Sequence, residues 1–353
     1  AGRRPAARAR HGRVGPPVTV APAPVSPDRA GARWRQVESL LGLAIFGLAL
    51  WVLGREVEAV DHRDVARAVR AVPRWQLWMA LAATALNYAI ITGYDHLALH
   101  QLGRRLSAWR ISLAGFVAFA IVNNFGFALI SGPWARLRFY TRWGIDLAAL
   151  PQVTAFNALT VWTGLSALLG AVLTVQPPPS LAAWAPLAVW RVGGVALLGL
   201  VALYIGLAAA WRAPLRVWRW TLHMPSVRMA VGQVVLSMLD WVILAAVLWL
   251  LMPSHSVSFT TLLTAFLAAQ VLGILSHVPG GLGVFEGTML ALLRGHVAAH
   301  TLLASLLLFR IIFYVVPLAV ALGLMAAVRL PTRRRGDAEG GAAREAAAAT
   351  GDR

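Results

Sequence analysis

The chain has 353 residues, 59% hydrophobic and only 13% charged, with a mean hydropathy of +0.67 and a net charge of +18. A soluble domain carries about 25% charged residues, so a water-exposed globule of this size is excluded and the sequence reads as a membrane protein. With no cysteine, and with arginine supplying all 32 of its basic residues, it has no disulfide, thiolate metal site, P-loop lysine or Schiff-base lysine.

Residues 1–36 hold eight arginines against one acid, Asp28, among Pro, Ala and Gly. That composition cannot bury a core and predicts a disordered basic tail. Residues 329–353 repeat the theme. The body between them, 37–328, holds 18 arginines and nine acids, and its uncharged runs mark spans of about 20 residues. These runs predict helices near 39–54, 75–94, 111–130, 148–174, 192–211, 229–251, 259–277 and 300–328. The DVARAVRAV stretch (64–72) predicts an amphipathic surface helix. Tryptophans crowd the run ends (Trp34, Trp75, Trp109, Trp143, Trp184, Trp190, Trp211, Trp220), as at membrane interfaces. Placing both termini in the cytoplasm puts 24 arginines inside and seven outside, which fits the positive-inside bias. The basic charge then faces anionic lipid at about 1 kcal/mol per arginine near the surface, and no nucleic-acid partner is expected.

This topology closes only if two segments are irregular. The stretch SGPWARLRFYTRWGID (131–146) is too charged to span, so 111–145 is read as a hairpin that returns to the side it entered. Residues 259–293, interrupted by VPGGLGVFEG (278–287), form a second one opening to the other side; a full span followed by a short one satisfies the same parity. The expected fold is therefore an all-α bundle of about eight spans with two re-entrant, broken-helix hairpins in inverted arrangement. Laying 114–136 over 264–286 matches Phe116 with Phe266 and Ala118 with Ala268, and sets Arg136 against Glu286. Inverted, Gly/Pro-interrupted helices recur where membrane proteins bind polar groups at mid-depth.

The candidate site residues follow from this plan. Pro279, Gly280, Gly281 and Gly283 permit positive φ and close approach of a ligand or helix. Glu286 lies in the first turn of the helix that restarts after them, either as its cap or as a partner for substrate or arginine. Arg136 and Arg138 follow Gly132-Pro133, with Arg142 as an ordinary interfacial anchor. Asn123 and Asn124 lie deep in an apolar run, as interhelical glue or as partners for the hairpin tip. Asp240 and Arg310 sit in mid-span, where a lone charge costs about 2.5–3.5 kcal/mol; Asp240–Arg310 and Glu286–Arg310 are the pairings to test. Tyr94, Asp95 and His96 end the second run, and an interfacial position accounts for them. His277 is read as structural. No Mg²⁺, HExxH, GxSxG or nucleotide motif is present, so no catalytic residue, metal ligand or cofactor is assigned.

With VPGGLGVFEG (278–287) and NNFGFALISGPWARLRFYTRWGID (123–146), the body resembles the lysylphosphatidylglycerol synthase/flippase transmembrane-region family. The P-G-G-L-G-x-x-E string is the more specific part. The resemblance points to Arg136, Pro279, Gly280, Gly281, Gly283 and Glu286, and it implies lipid handling by residues 37–328. Members that aminoacylate lipids carry a soluble transferase domain after the membrane part. Only 25 residues follow position 328 here, so transfer from tRNA is not expected. The leading expectation is a multi-pass inner-membrane protein that moves, or presents for movement, an anionic, aminoacylated or glycosylated lipid between leaflets. The alternative is a non-transporting accessory subunit of a lipid or hopanoid biosynthesis enzyme. Expected partners are membrane lipids and, in the alternative, such an enzyme; both leave room for a homo-oligomer.

Overall fold

The computed structural model describes residues 62–327 except 126–127, 176, 178–180, 183–184, 212–214, 218–219, 223, 253–256 and 277. Both predicted tails, the first predicted span (39–54) and His277 lie outside the described residues. Among those described, ten helices follow in order. They are α1 (His62–Ala71), α2 (Arg74–Gln101), α3 (Ala108–Phe125), α4 (Ala128–Tyr140), α5 (Ala149–Val175), α6 (Leu187–Ala210), α7 (Val227–Leu250), α8 (Phe259–Leu275), α9 (Val284–Leu292) and α10 (Ala299–Ala327). Five of them, α2, α5, α6, α7 and α10, are long and apolar enough to cross a membrane. A two-stranded antiparallel ribbon, β1 (Leu215–Val217) with β2 (Trp220–Leu222), interrupts the expected 211–228 loop.

The helix starts follow from local chemistry. Pro73 and Pro186 precede α2 and α6 in extended conformation, where a missing N–H costs nothing. Ser226 and Ser258 cap α7 and α8, their hydroxyls accepting from the N–H of Met229 and Thr261. Close packing in the bundle relies on small residues. A side chain at Gly164 on α5 would collide with Ser237 on α7, and Gly170 and Gly194 let α5 and α6 touch backbone to backbone.

The two irregular segments are hairpins. α3 and α4 pack against each other, as do α8 and α9. Three membrane-length helices (α5, α6, α7) separate them in the chain, as an inverted arrangement requires. Their broken ends meet: a Cβ built on Gly280 would lie 3.7 and 3.8 Å from the carbonyl oxygens of Asn124 and Asn123.

α10 also deviates from regular geometry. Residues Arg310–Val315 form a π-helical turn, and Pro317 lies two residues beyond it. Pro317 has no N–H to give the Phe313 carbonyl, so that oxygen is left for a side chain. Tyr88 Oη donates to it at 3.3 Å.

Candidate functional site

The glycine loop behaves as its sequence requires. Gly280, Gly281 and Gly283 have φ of 60°, 62° and 79°, in the left-handed region that side chains disfavour. Pro279 opens the short turn Pro279–Gly281, and α9 restarts at Val284. Glu286 does both jobs considered for it. One carboxylate oxygen accepts from the Gly283 N–H at 2.8 Å. The other accepts from Arg310 Nε at 2.8 Å and Nη2 at 2.6 Å. Arg310 Nη1 donates to the Gly280 carbonyl at 2.6 Å. Its guanidinium lies 4.9 Å from the Tyr314 ring centroid and 5.6 Å from that of Phe285. One arginine thus joins the π-helical turn of α10 to both ends of the loop.

The tip of the first hairpin closes on the same place. Asn124 Nδ2 donates to the Tyr314 carbonyl at 3.0 Å and to Ala120 at 2.8 Å. Asn123 Nδ2 donates to Tyr88 Oη at 3.4 Å. The polar side chains in this deep run are bound to neighbouring backbone and hydroxyl groups, which lipid cannot replace.

Arg136 belongs to a second cluster. It is 2% exposed and its partner, Asp95, is 0% exposed. Nε and Nη2 of Arg136 donate to the two Asp95 oxygens at 2.9 and 2.7 Å. Tyr140 Oη and Asn157 Nδ2 complete the carboxylate at 2.6 and 2.5 Å. Gly132 leaves the room: a Cβ there would sit 3.0 Å from Arg136 Nη1. The interfacial placement of Tyr94 and Asp95 is corrected by this burial, since α2 continues six residues past Asp95, to Gln101. His96, half-buried, faces the Ser112 hydroxyl at 3.1 Å.

Asp240 forms a third centre. Tyr94 Oη donates to it at 2.7 Å, and Asn87 Nδ2 donates to its carboxylate at 2.7 Å and its carbonyl at 2.9 Å. The expected Asp240–Arg310 pair is absent because Arg310 is taken by Glu286, and no arginine among the described residues pairs with Asp240. Arg138 lies apart, exposed, with Nη2 donating to the Met325 carbonyl at 3.2 Å; Arg142 is exposed as an anchor would be.

Sequence reasoning missed what connects the three centres. On α2, Asn87 and Tyr94 stand seven residues apart and serve Asp240, while Tyr88 and Asp95, also seven apart, serve the first hairpin, Tyr88 reaching on to the π-helical turn of α10. The repeated polar doublet Asn87-Tyr88 and Tyr94-Asp95 is a signal that charge counting passes over, because three of its four members are uncharged.

Comparison with known proteins agrees with this architecture. Residues 39–321 match the model of the lysylphosphatidylglycerol synthase transmembrane region. The chain is 32% identical to the uncharacterized protein slr0712 of Synechocystis, over 86% of this chain and 96% of that one. It is 28% identical to the inner membrane protein YbhN of Escherichia coli, over 84% and 93%. Similarity extends at 23% identity to the phosphatidylglycerol lysyltransferase of Staphylococcus xylosus, covering 79% of this chain but 32% of that enzyme. The chain belongs to the lysylphosphatidylglycerol synthase transmembrane-region family.

Proposed function

We propose that the protein sits in a bacterial inner membrane, both termini cytoplasmic, and moves an anionic, aminoacylated or glycosylated lipid between leaflets. The observation that carries this reading is the contact of two broken hairpins at Gly280, beside a Glu286–Arg310 pair only 3% and 12% exposed. Irregular backbone and ionised side chains at that depth are costly unless they line a polar path. A headgroup crossing unaided meets the same cost.

In this mechanism the described conformation is the closed one. A lipid phosphate approaches the N-terminal end of α9 and the Arg310 guanidinium, where N–H groups and positive charge converge. Glu286 exchanges Arg310 for an amine or hydroxyl of the headgroup. Arg136 becomes available to the phosphate only when the surrounding helices shift enough for Asp95 to release it. The lipid phosphate and the carboxylates compete for the same planar forks. The acyl chains stay on the bilayer side.

The test is dithionite quenching of a fluorescent phosphatidylglycerol in vesicles of phosphatidylcholine containing the purified protein. Inner-leaflet label becomes accessible with the wild-type chain and far more slowly with Glu286→Gln. Equal rates for wild type, Glu286→Gln and protein-free vesicles would contradict the proposal.

A further inference from the structure

Besides its polar centres, the molecule has a cavity of about 470 Å³ between α5, α8, α9 and the start of α6. Leu173 on α5, Leu272 on α8 and Leu292 on α9 line it, with Trp190 on α6. Leu272 is exposed, so the cavity is open on that side.

Its wall is almost wholly apolar, and its polar side chains spend their N–H and O–H groups on backbone. Thr264 Oγ1 donates to the Thr260 carbonyl at 2.9 Å, and Thr288 Oγ1 to the Val284 carbonyl at 2.7 Å. Trp190 Nε1 donates to the Leu181 carbonyl at 3.1 Å. Each donor on a wall side chain is therefore taken by backbone, and a polar occupant would lose most of its water's hydrogen bonds without replacement. Gly287 adds the room: a Cβ there would meet nothing within 4 Å.

The size of the space names the occupant. At about 30 Å³ per water-sized unit, 470 Å³ holds about 16 such units, the scale of a single acyl chain. The surroundings agree, since two of the four helices that line it, α5 and α6, are membrane-length, and the apolar matter available beside them is lipid hydrocarbon. α9 forms its wall at Gly287 and Thr288, directly after Glu286. A chain lying here thus ends within a helical turn of the proposed headgroup site.

We infer that this groove is an acyl-chain site, which seats one chain of a membrane glycerolipid on the bilayer-facing wall of the second hairpin. The inference rests on the lipid-handling reading and adds to it: the substrate is held by a hydrocarbon chain as well as by its headgroup, and lipids lacking a full-length chain are handled poorly.

The experiment uses the full chain in phosphatidylcholine vesicles with a trace of phosphatidylglycerol carrying a photoactivatable group on one acyl chain. After irradiation, labelled peptides are mapped by mass spectrometry. Wild-type label concentrates on 264–272 and 287–292, and Gly287→Leu, which fills the groove from a helical position with open space, lowers it about tenfold, equivalent to displacing about two methylenes. Gly287→Ala, a smaller intrusion, lowers it less, and circular dichroism of both variants matches wild type. Label spread evenly over lipid-facing helices, including the exposed face of α6, would overturn the inference, as would full labelling in a folded Gly287→Leu variant. Quenching assays on the same vesicles separate the two ideas. Concentrated label without lipid movement refutes translocation and leaves the groove. Movement without concentrated label refutes the groove and leaves translocation.

Discussion

The two hairpins carry charges of opposite sign, Arg136 on the first and Glu286 on the second, and each finds its counter-ion on a long neighbouring helix. They differ in how that pair is enclosed. Arg136 and Asp95 are 2% and 0% exposed and are bounded by side chains from three helices, with Tyr140 and Asn157 completing the carboxylate. Arg310 and Glu286 are 12% and 3% exposed, and they are tied instead to backbone, the Gly280 carbonyl and the Gly283 N–H. A pair sealed by side chains fixes helices, because removing one member strands a charge in low dielectric. A pair seated on a glycine loop can exchange partners when the loop moves. The first hairpin is thus built as an anchor and the second as the working element.

This contrast is open to direct attack by mutation. The largest effect belongs to the sealed pair: Arg136→Ala, which leaves Asp95 buried and alone, lowers stability by about 3–5 kcal/mol, read as thermal unfolding of the detergent-solubilised protein. Asp95→Asn falls in the same class, because it strands the Arg136 guanidinium and sets a new amide N–H₂ against donors from Arg136, Tyr140 and Asn157. Glu286→Gln comes next, losing charge-assisted bonds worth about 1.5–3 kcal/mol while slowing lipid movement more than Asp95→Asn does. If Glu286→Gln unfolds the protein as readily as Arg136→Ala, the distinction between anchor and working element fails. Gly280→Ala forces a side chain to φ 60° and within 3.3 Å of Arg310 Nη1; the left-handed conformation alone costs about 1–2 kcal/mol. The smallest change is Asn124→Ala, which removes the bond to the Tyr314 carbonyl for about 0.6 kcal/mol, typical of a polar contact between membrane helices.

Much of this was legible in the residues. Charge spacing alone located the five membrane-length helices among the described residues and the two irregular segments between them, and the run of glycines from Gly280 to Gly283 announced the break between α8 and α9. Glu286–Arg310 was one of two pairings that mid-span charges allowed. The partner of Arg136 was not legible, because Asp95 ends an uncharged run and such an end ordinarily marks an interface. Asp95 instead turns inward against Arg136, Tyr140 and Asn157, so its charge lies inside the bundle. Asp240 misled for a related reason. A central carboxylate suggests an arginine, whereas here Tyr94 and Asn87 supply neutral donors from across a helix interface, and a linear charge count cannot see them. The π-helical turn had a sequence cue in Pro317, one turn beyond the Phe313 carbonyl it leaves free.

The absence of native cysteine makes one experiment especially clean. Cysteines introduced by Asn124→Cys and Gly280→Cys bring a reactive pair to the place where the hairpin tips touch, and cross-linking is followed together with lipid movement in the same vesicles. The expected result is a cross-link that forms under mild oxidation, arrests lipid movement and releases it on reduction. Two singly accessible cysteines that fail to join, or a cross-linked protein that moves lipid at the uncrosslinked rate, would contradict a path formed where the two hairpins meet.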